Sequence, residues 1–275
     1  MASMKGVNAM SIIDQAKEDF NLLKTNPEQY SAKVSQLGKG LGLELRGDCL
    51  PTYYGGNISN PNLKYAFISL NPMFHKKTTN RFHYGKTYFE ESLKKENLNK
   101  YLDFLQNCYR CFSEHKISYS YFSKLINLFY GLEKLPISDK WDWYHNNYIN
   151  LDLIPYYSDK TPTIKVDDDE TRKYLSERLE SNINFICSQF PHLRLIGFNG
   201  KIYGHLLSQL AGLRKVEDIH YQGKKVNLKI HIFKLFRDKI GVPLVQFDAF
   251  ITNCRGMYNE DLTKIGRMIG ERIEL

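Results

Sequence analysis

The sequence predicts an α/β protein in which a central, mostly parallel β-sheet is flanked by helices, a single-domain three-layer sandwich. Three observations carry that expectation. Short apolar runs rich in Ile, Leu, Phe and Tyr recur along the chain, as at Ala66 to Leu70 and Tyr148 to Ile154, and read as buried parallel strands. Longer stretches with helical spacing of apolar residues separate them. At 275 residues, 42% apolar and 13% aromatic, the chain is long enough and apolar enough to bury an ordinary core.

Ser11 is placed to cap a helix whose Ile12, Ala16, Phe20 and Leu23 share a face, and Asn26-Pro27 opens a second helix that Gly38 is expected to end. The stretch from Gly38 to Asn62, rich in Gly, Pro and Asn, reads as a loop before a strand over Lys64 to Leu70. Helical patterns follow over Tyr88 to Phe112 and Tyr119 to Tyr130, then a strand over Tyr148 to Ile154. The acidic run Asp167 to Glu170 suits the amino end of a helix carrying Leu175, Leu179, Ile183 and Ile186. Leu193 to Phe198 reads as a strand, closed by a turn over Gly197 to Gly200 and followed by a helix through Tyr203, Leu206, Leu207 and Leu210. Val226 to Phe233 and Pro243 to Phe247 are further strands, and Asn259 is placed to cap a last helix with Leu262, Ile265, Met268 and Ile269 on one face. With no linker or repeat in evidence, residues 1–62 read as amino-terminal helices and a loop packed on an α/β domain of residues 63–275.

The formal charge of +8, from 38 basic and 30 acidic side chains, favours a polyanionic partner such as nucleic acid. Aromatic faces stack on unpaired bases, and the chain has 19 Tyr and 16 Phe, although filling a core also uses them. His75, Lys76, Lys77 and Arg81, and the group Lys224, Lys225, Lys229, His231, Lys234, Arg237 and Lys239, are candidate phosphate contacts or simply solvated. Five scattered cysteines do not suggest a disulfide framework, and Cys108 and Cys111 fall in a helical pattern with Leu102, Leu105 and Phe112 that suits packing better than a metal. No His cluster, Ser-His-Asp order, Walker-type loop or dinucleotide fingerprint is present, so neither metal nor cofactor is expected. No apolar run is long enough to span a bilayer and no signal-peptide core follows MASMKG, which points to a cytoplasmic protein without a membrane partner, read as a monomer.

The run AFISLNPMF at Ala66 to Phe74 ends a strand in Asn71-Pro72 with an aromatic nearby, and YINLDLIPYY at Tyr148 to Tyr157 repeats the pattern some eighty residues on. In open α/β sheets such strand ends build the site. Leu70 to Phe74 resembles the first motif of the uracil-DNA glycosylase superfamily. In the same order, Leu151 to Ser158 resembles its middle motif, Leu193 to Leu207 its later strand and helix, and Phe250 to Asn259 its carboxyl-terminal loop, so that residues 60 to 270 are covered. The resemblance implies a DNA glycosylase that flips a base from DNA and hydrolyses its N-glycosidic bond to leave an abasic site.

The resemblance assigns Asn71 the positioning of the attacking water, and Met73 and Phe74 the pocket wall, Phe74 as the stacking face. Asn71 equally suits an Asx turn before Pro72. Asp152 stands where relatives commonly carry the Asn that reads a uracil or thymine edge, with Asn150 two residues earlier on the same face of the strand. A carboxylate only accepts hydrogen bonds, which suits the amino group of cytosine, so a cytosine derivative is expected over plain uracil. Where many relatives carry His-Pro-Ser this chain has Phe247-Asp248-Ala249: the electrophilic His is missing, Phe247 borders the pocket, and Asp248 is left to stabilise the cationic sugar. In the loop beyond, Asn253 and Arg255 are expected to contact DNA, and Met257 or Tyr258 to fill the gap left by the flipped nucleotide. The superfamily includes phage-defence glycosylases acting on glucosylated hydroxymethylcytosine. The alternatives are a catalytically silent nucleic-acid-binding module of the same fold, a uracil-type repair glycosylase, and a hydrolase of free nucleosides.

Overall fold

A computed structural model of the chain describes residues 11–70, 97–114, 120–158, 169–237, 240–252 and 254–273. The helical pattern expected at Tyr88 to Glu96 and the acidic residues Asp167 and Asp168 lie outside them. Helix α1 (Ile12–Thr25) opens on Ser11, whose hydroxyl accepts from the Asp14 amide at 3.1 Å, and it buries Ile12, Ala16 and Phe20. Asn26 closes α1 and caps α2 (Pro27–Leu41) by accepting from the Gln29 amide at 3.0 Å. Gly38 does not end α2. It lies inside the helix, where a Cβ would meet the Leu43 carbonyl at 2.6 Å, and the left-handed terminus is Gly42 at φ 67°.

Seven strands form one sheet: β1 (Tyr54–Gly55), β2 (Tyr65–Ser69), β3 (Tyr148–Asp152), β4 (Leu195–Asn199), β5 (Leu213–Gln222), β6 (Asn227–Arg237) and β7 (Ile240–Phe247), in the order β1-β3-β2-β4-β7-β6-β5. The central β3, β2, β4 and β7 are parallel, whereas β1 pairs antiparallel to β3, and β5, β6 and β7 pair antiparallel in succession. The sheet is therefore mixed, with a parallel centre and antiparallel wings, rather than mostly parallel throughout. The edge strands β1 and β5 escaped the sequence pattern for a physical reason, whereas β6 answers the expected strand at Val226 to Phe233. Most of β5 is exposed, with Arg214, Lys215 and Glu217 on its surface, so it lacks the apolar alternation of a half-buried strand, and β1 is only two residues long.

The remaining helices are α3 (Leu98–Glu114), α4 (Ser120–Glu133), α5 (Lys140–Asn147), α6 (Asp169–Gln189), α7 (Ile202–Leu207) and α8 (Asn259–Ile273). Sequence spacing did not announce α5, whose start is fixed instead by the Asp139 side chain accepting from the amides of Trp141 and Asp142 at 2.9 and 3.1 Å. Asn259 begins α8 rather than capping it, and Asp261 reaches back to the Tyr258 amide at 2.9 Å. On one face of the sheet Ala66, Ile68, Ile149, Leu151, Ile196 and Phe198 pack in one cluster with residues of α1, α2, α6 and α7. On the other, Tyr65, Phe67, Tyr148, Leu195, Val245 and Phe247 join residues of α4, α5 and α8. The alternation is that of strands buried on both faces.

Close approaches set three glycines. A Cβ at Gly197 would lie 2.3 Å from the Phe67 ring, which covers the neighbouring strand at that point. Gly131 and Gly266 let α4 and α8 touch backbone to backbone, since a Cβ would reach Thr263 O at 2.0 Å from the first and Leu128 O at 2.1 Å from the second. The amino-terminal helices are tied to the sheet by polar bonds as well as packing. The buried Asp19 pairs with Lys33 at 2.7 Å and accepts from the hydroxyls of Tyr53 at 2.8 Å and Tyr156 at 2.7 Å.

Candidate active site

The chain leaves β2 to form β3 on one side and later places β4 on the other, so the crossovers diverge at the carboxyl ends of β2 and β4. Open α/β sheets form a crevice at such a switch point. Polar side chains collect there in strands that are otherwise apolar. Ser69 is in register with Asp152, and Asn199 with Phe247. Asn150 Oδ1 accepts from Ser69 Oγ at 2.9 Å and from the Tyr148 hydroxyl at 3.3 Å. With its oxygen so engaged, its amide NH2 is turned to Asp152, to which it hydrogen-bonds. Asp152 and Asn150 thus act together, as their spacing on one strand face implies.

Asp152 is 5% exposed, and burial pushes its carboxyl well above the usual carboxylate range, opposed only by the Asn150 hydrogen bond. Helix α4 covers the network from above: Asn199 Nδ2 donates to the Tyr121 hydroxyl at 3.2 Å, and that hydroxyl also bonds Ser69 and Tyr148. Among the described residues, three buried polar atoms beside this network have no partner, Asn199 Oδ1, Asn182 Oδ1 and the hydroxyl of Tyr203, and the Tyr203 hydroxyl feels the charge of Asp152. Unpartnered buried groups are costly, and at a strand-end crevice they are what a polar ligand would satisfy. Ser69, Tyr121, Tyr148, Asn199 and Tyr203 were not singled out from the sequence. The one local signal was the run into Asn199-Gly200.

Asp248 follows β7 at the same end of the sheet, where its carboxylate takes hydrogen bonds from Gln246 Nε2 at 3.0 Å and His231 Nε2 at 3.1 Å. His231 Nδ1 lies 2.6 Å from Asp218, which also pairs with Lys215 at 2.8 Å and Lys229 at 3.3 Å. Burial pushes the Asp218 carboxyl up, but the hydrogen bonds from Lys215, His231 and Lys229 outweigh it and hold the group well below the usual carboxylate range. His231 and Lys229 are therefore occupied by carboxylates rather than free for phosphate. The Asp218, His231, Asp248 chain joins β5, β6 and the end of β7 through contacts 13 and 17 positions apart that no local pattern announces.

The rim at this end of the sheet is basic and aromatic. Gly256, at φ 86°, sits where a Cβ would be 2.6 Å from the Lys225 carbonyl, so its turn packs on the turn joining β5 to β6. Lys224, Lys225, Arg255 and Tyr258 are exposed there, Tyr258 at 50%. Met257, expected with Tyr258 to enter the duplex, is instead buried in the core at 6% exposure. Phe247, expected to border the pocket, is fully buried and stacks on Phe67 with centroids 6.4 Å apart, so it is floor and core rather than wall. Asn71, Met73, Phe74, Lys76, Lys77 and Asn253 lie outside the described residues. Cys108 is buried in the aromatic cluster and burial pushes its thiol up, the setting of a packing residue.

Among the described residues no helix is long and apolar enough to cross a membrane. What fold and site define is a mixed α/β protein with a cluster of buried polar side chains at the carboxyl ends of its parallel strands. Family models, curated proteins and solved structures yield no match to this chain.

Proposed function

We propose that this protein is a DNA glycosylase that extrudes a modified cytosine from DNA and hydrolyses its N-glycosidic bond. The observation that carries the reading is Asp152, a buried carboxyl at the switch point of the parallel strands, held by an amide whose orientation two hydroxyls determine. An edge reader must be oriented before the base arrives, and this network orients it. The Asn199 oxygen and Tyr203 hydroxyl, unpartnered among the described residues, supply further acceptor and donor capacity in the same place. The exposed Lys224, Lys225, Arg255 and Tyr258 at the same end suit a phosphate backbone and the gap left by an extruded nucleotide.

In this reading Asp152 and Asn150 read the base, and Asn71, two residues past Ser69 in the chain, positions water. Asp248 faces the developing positive charge of the sugar, its orientation held by His231 and Gln246. Met73 and Phe74 line the pocket, with Lys76, Lys77 and Asn253 as further DNA contacts. The experiment is incubation with phage DNAs of differing base modification, including glucosylated hydroxymethylcytosine, followed by an assay for abasic sites. Asn71→Ala is expected to abolish release while retaining DNA binding. Binding without release from any DNA identifies a silent nucleic-acid-binding module, and release of uracil alone a repair enzyme.

A further inference from the structure

Breaking a cytosine glycosidic bond leaves negative charge on the base unless something neutralises it, and the electrophilic His of the resembling family is absent from this chain. Among the described residues, the groups around Asp152 are neutral. The hydroxyls of Tyr109 on α3, Tyr121 on α4 and Tyr203 on α7 all feel its charge, and each is a neutral phenol pushed up by its own burial. From β3 it meets the Asn150 amide, and from α6 Asn182, whose amide donates to the Asp152 backbone carbonyl at 3.4 Å. Among the described residues no Lys, Arg or His pairs with it. Among the described residues no cation faces this carboxyl, and its burial at 5% exposure favours the protonated form.

We propose that Asp152 is the general acid of the reaction, passing its carboxyl proton to N3 of the extruded cytosine-type base as the bond from C1′ to N1 breaks. The inference rests on the glycosylase reading. A neutral carboxyl fits this edge at two points, its hydroxyl donating to N3 and its carbonyl accepting from the N4 amino group. The electron pair of the broken bond stays on the base, which leaves neutral with the proton on N3. Water adds to the cationic C1′ and releases one proton, which restores the Asp152 carboxyl through solvent. A base in this pocket therefore needs a basic ring nitrogen, which cytosine and its 5-substituted derivatives have and uracil, already protonated at N3, does not.

The test is single-turnover release from duplexes carrying cytosine, 5-hydroxymethylcytosine or its glucosylated form, from about pH 5 to about pH 9. The wild-type rate is expected to fall as pH rises through the Asp152 titration. Asp152→Asn keeps both edge contacts and the Asn150 bond but has no proton to give, so it is expected to bind the duplex as the wild type does, release base about a hundredfold or more slowly, and lose the alkaline limb. Asp152→Glu keeps an acid and is expected to keep that limb. A wild-type rate that rises with pH, or an Asp152→Asn variant with unchanged rate, overturns the role of Asp152 while leaving the glycosylase reading intact. No release by the wild type from any of these duplexes overturns both.

Discussion

Asp152→Asn also reads the buried carboxyl without any substrate. The change is nearly isosteric and keeps an acceptor for the Asn150 amide, so packing is preserved and ionisation alone is removed. In the unfolded chain an aspartate titrates near about 3.9. Burial pushes the folded group well above that. The folded state therefore holds a proton that the unfolded state has lost, and the stability this contributes is full below the unfolded value and is lost as pH rises through the folded one. Over that window the wild type loses about 1.4 kcal/mol per pH unit relative to the variant. With a urea slope of about 3 kcal/mol per molar, the two midpoints separate by about 0.5 M for each unit. Urea unfolding of both proteins at about pH 5, 6 and 7 measures the difference, and the variant should gain on the wild type as pH rises. A gap between midpoints that stays constant across this range refutes the argument that burial holds the proton on Asp152.

Three further outcomes follow from the geometry. Asp19→Ala strips the acceptor from two buried tyrosine hydroxyls and the partner from Lys33, and is expected to cost about 3 kcal/mol in denaturant unfolding; a loss within about 0.5 kcal/mol would mean the node is not structural. Gly266→Ala drives a methyl to 2.1 Å from the Leu128 carbonyl, which is helix backbone and cannot swing away, so a lowered thermal midpoint worth about 1–3 kcal/mol is expected. Tyr258→Ala removes a half-exposed ring and should leave stability within about 0.5 kcal/mol, while weakening DNA binding in a filter or anisotropy assay by about fivefold or more. Unchanged affinity there removes Tyr258 from the proposed DNA contacts.

Elements whose residues carry their own period were legible in the chain. The apolar runs that became β2, β3, β4 and β7 are buried on both faces, and the stripe of Ile12, Ala16 and Phe20 and the capping Ser11 and Asn26 define α1 and α2 without reference to anything distant. The pairing of Asn150 with Asp152 was readable too, because strand residues two apart share a face. The edge strands β1 and β5 were not. A strand such as β5, with most of its side chains in water, has no burial to imprint a period, and α5 is built from aromatic and polar residues whose apolar partners lie on α3 and α4.

Burial and partnership were decided only by folding. Met257 and Phe247 look alike to exposed aromatics and methionines in a string of letters, yet the structure places both inside the second cluster and leaves Tyr258 in water. His231 reads as one more basic residue until β6 pairs with β5 and β7 and sets it between Asp218 and Asp248. Asp152 is an ordinary acid in sequence, and only the register of β3 with β2, the overlying α4 and the nearby Tyr203 take it out of solvent. Periodicity is a short-range property of a chain that repeats every two or 3.6 residues. Whether a carboxyl meets water, an amide or an imidazole depends on segments tens of residues away, and that is settled when the sheet closes.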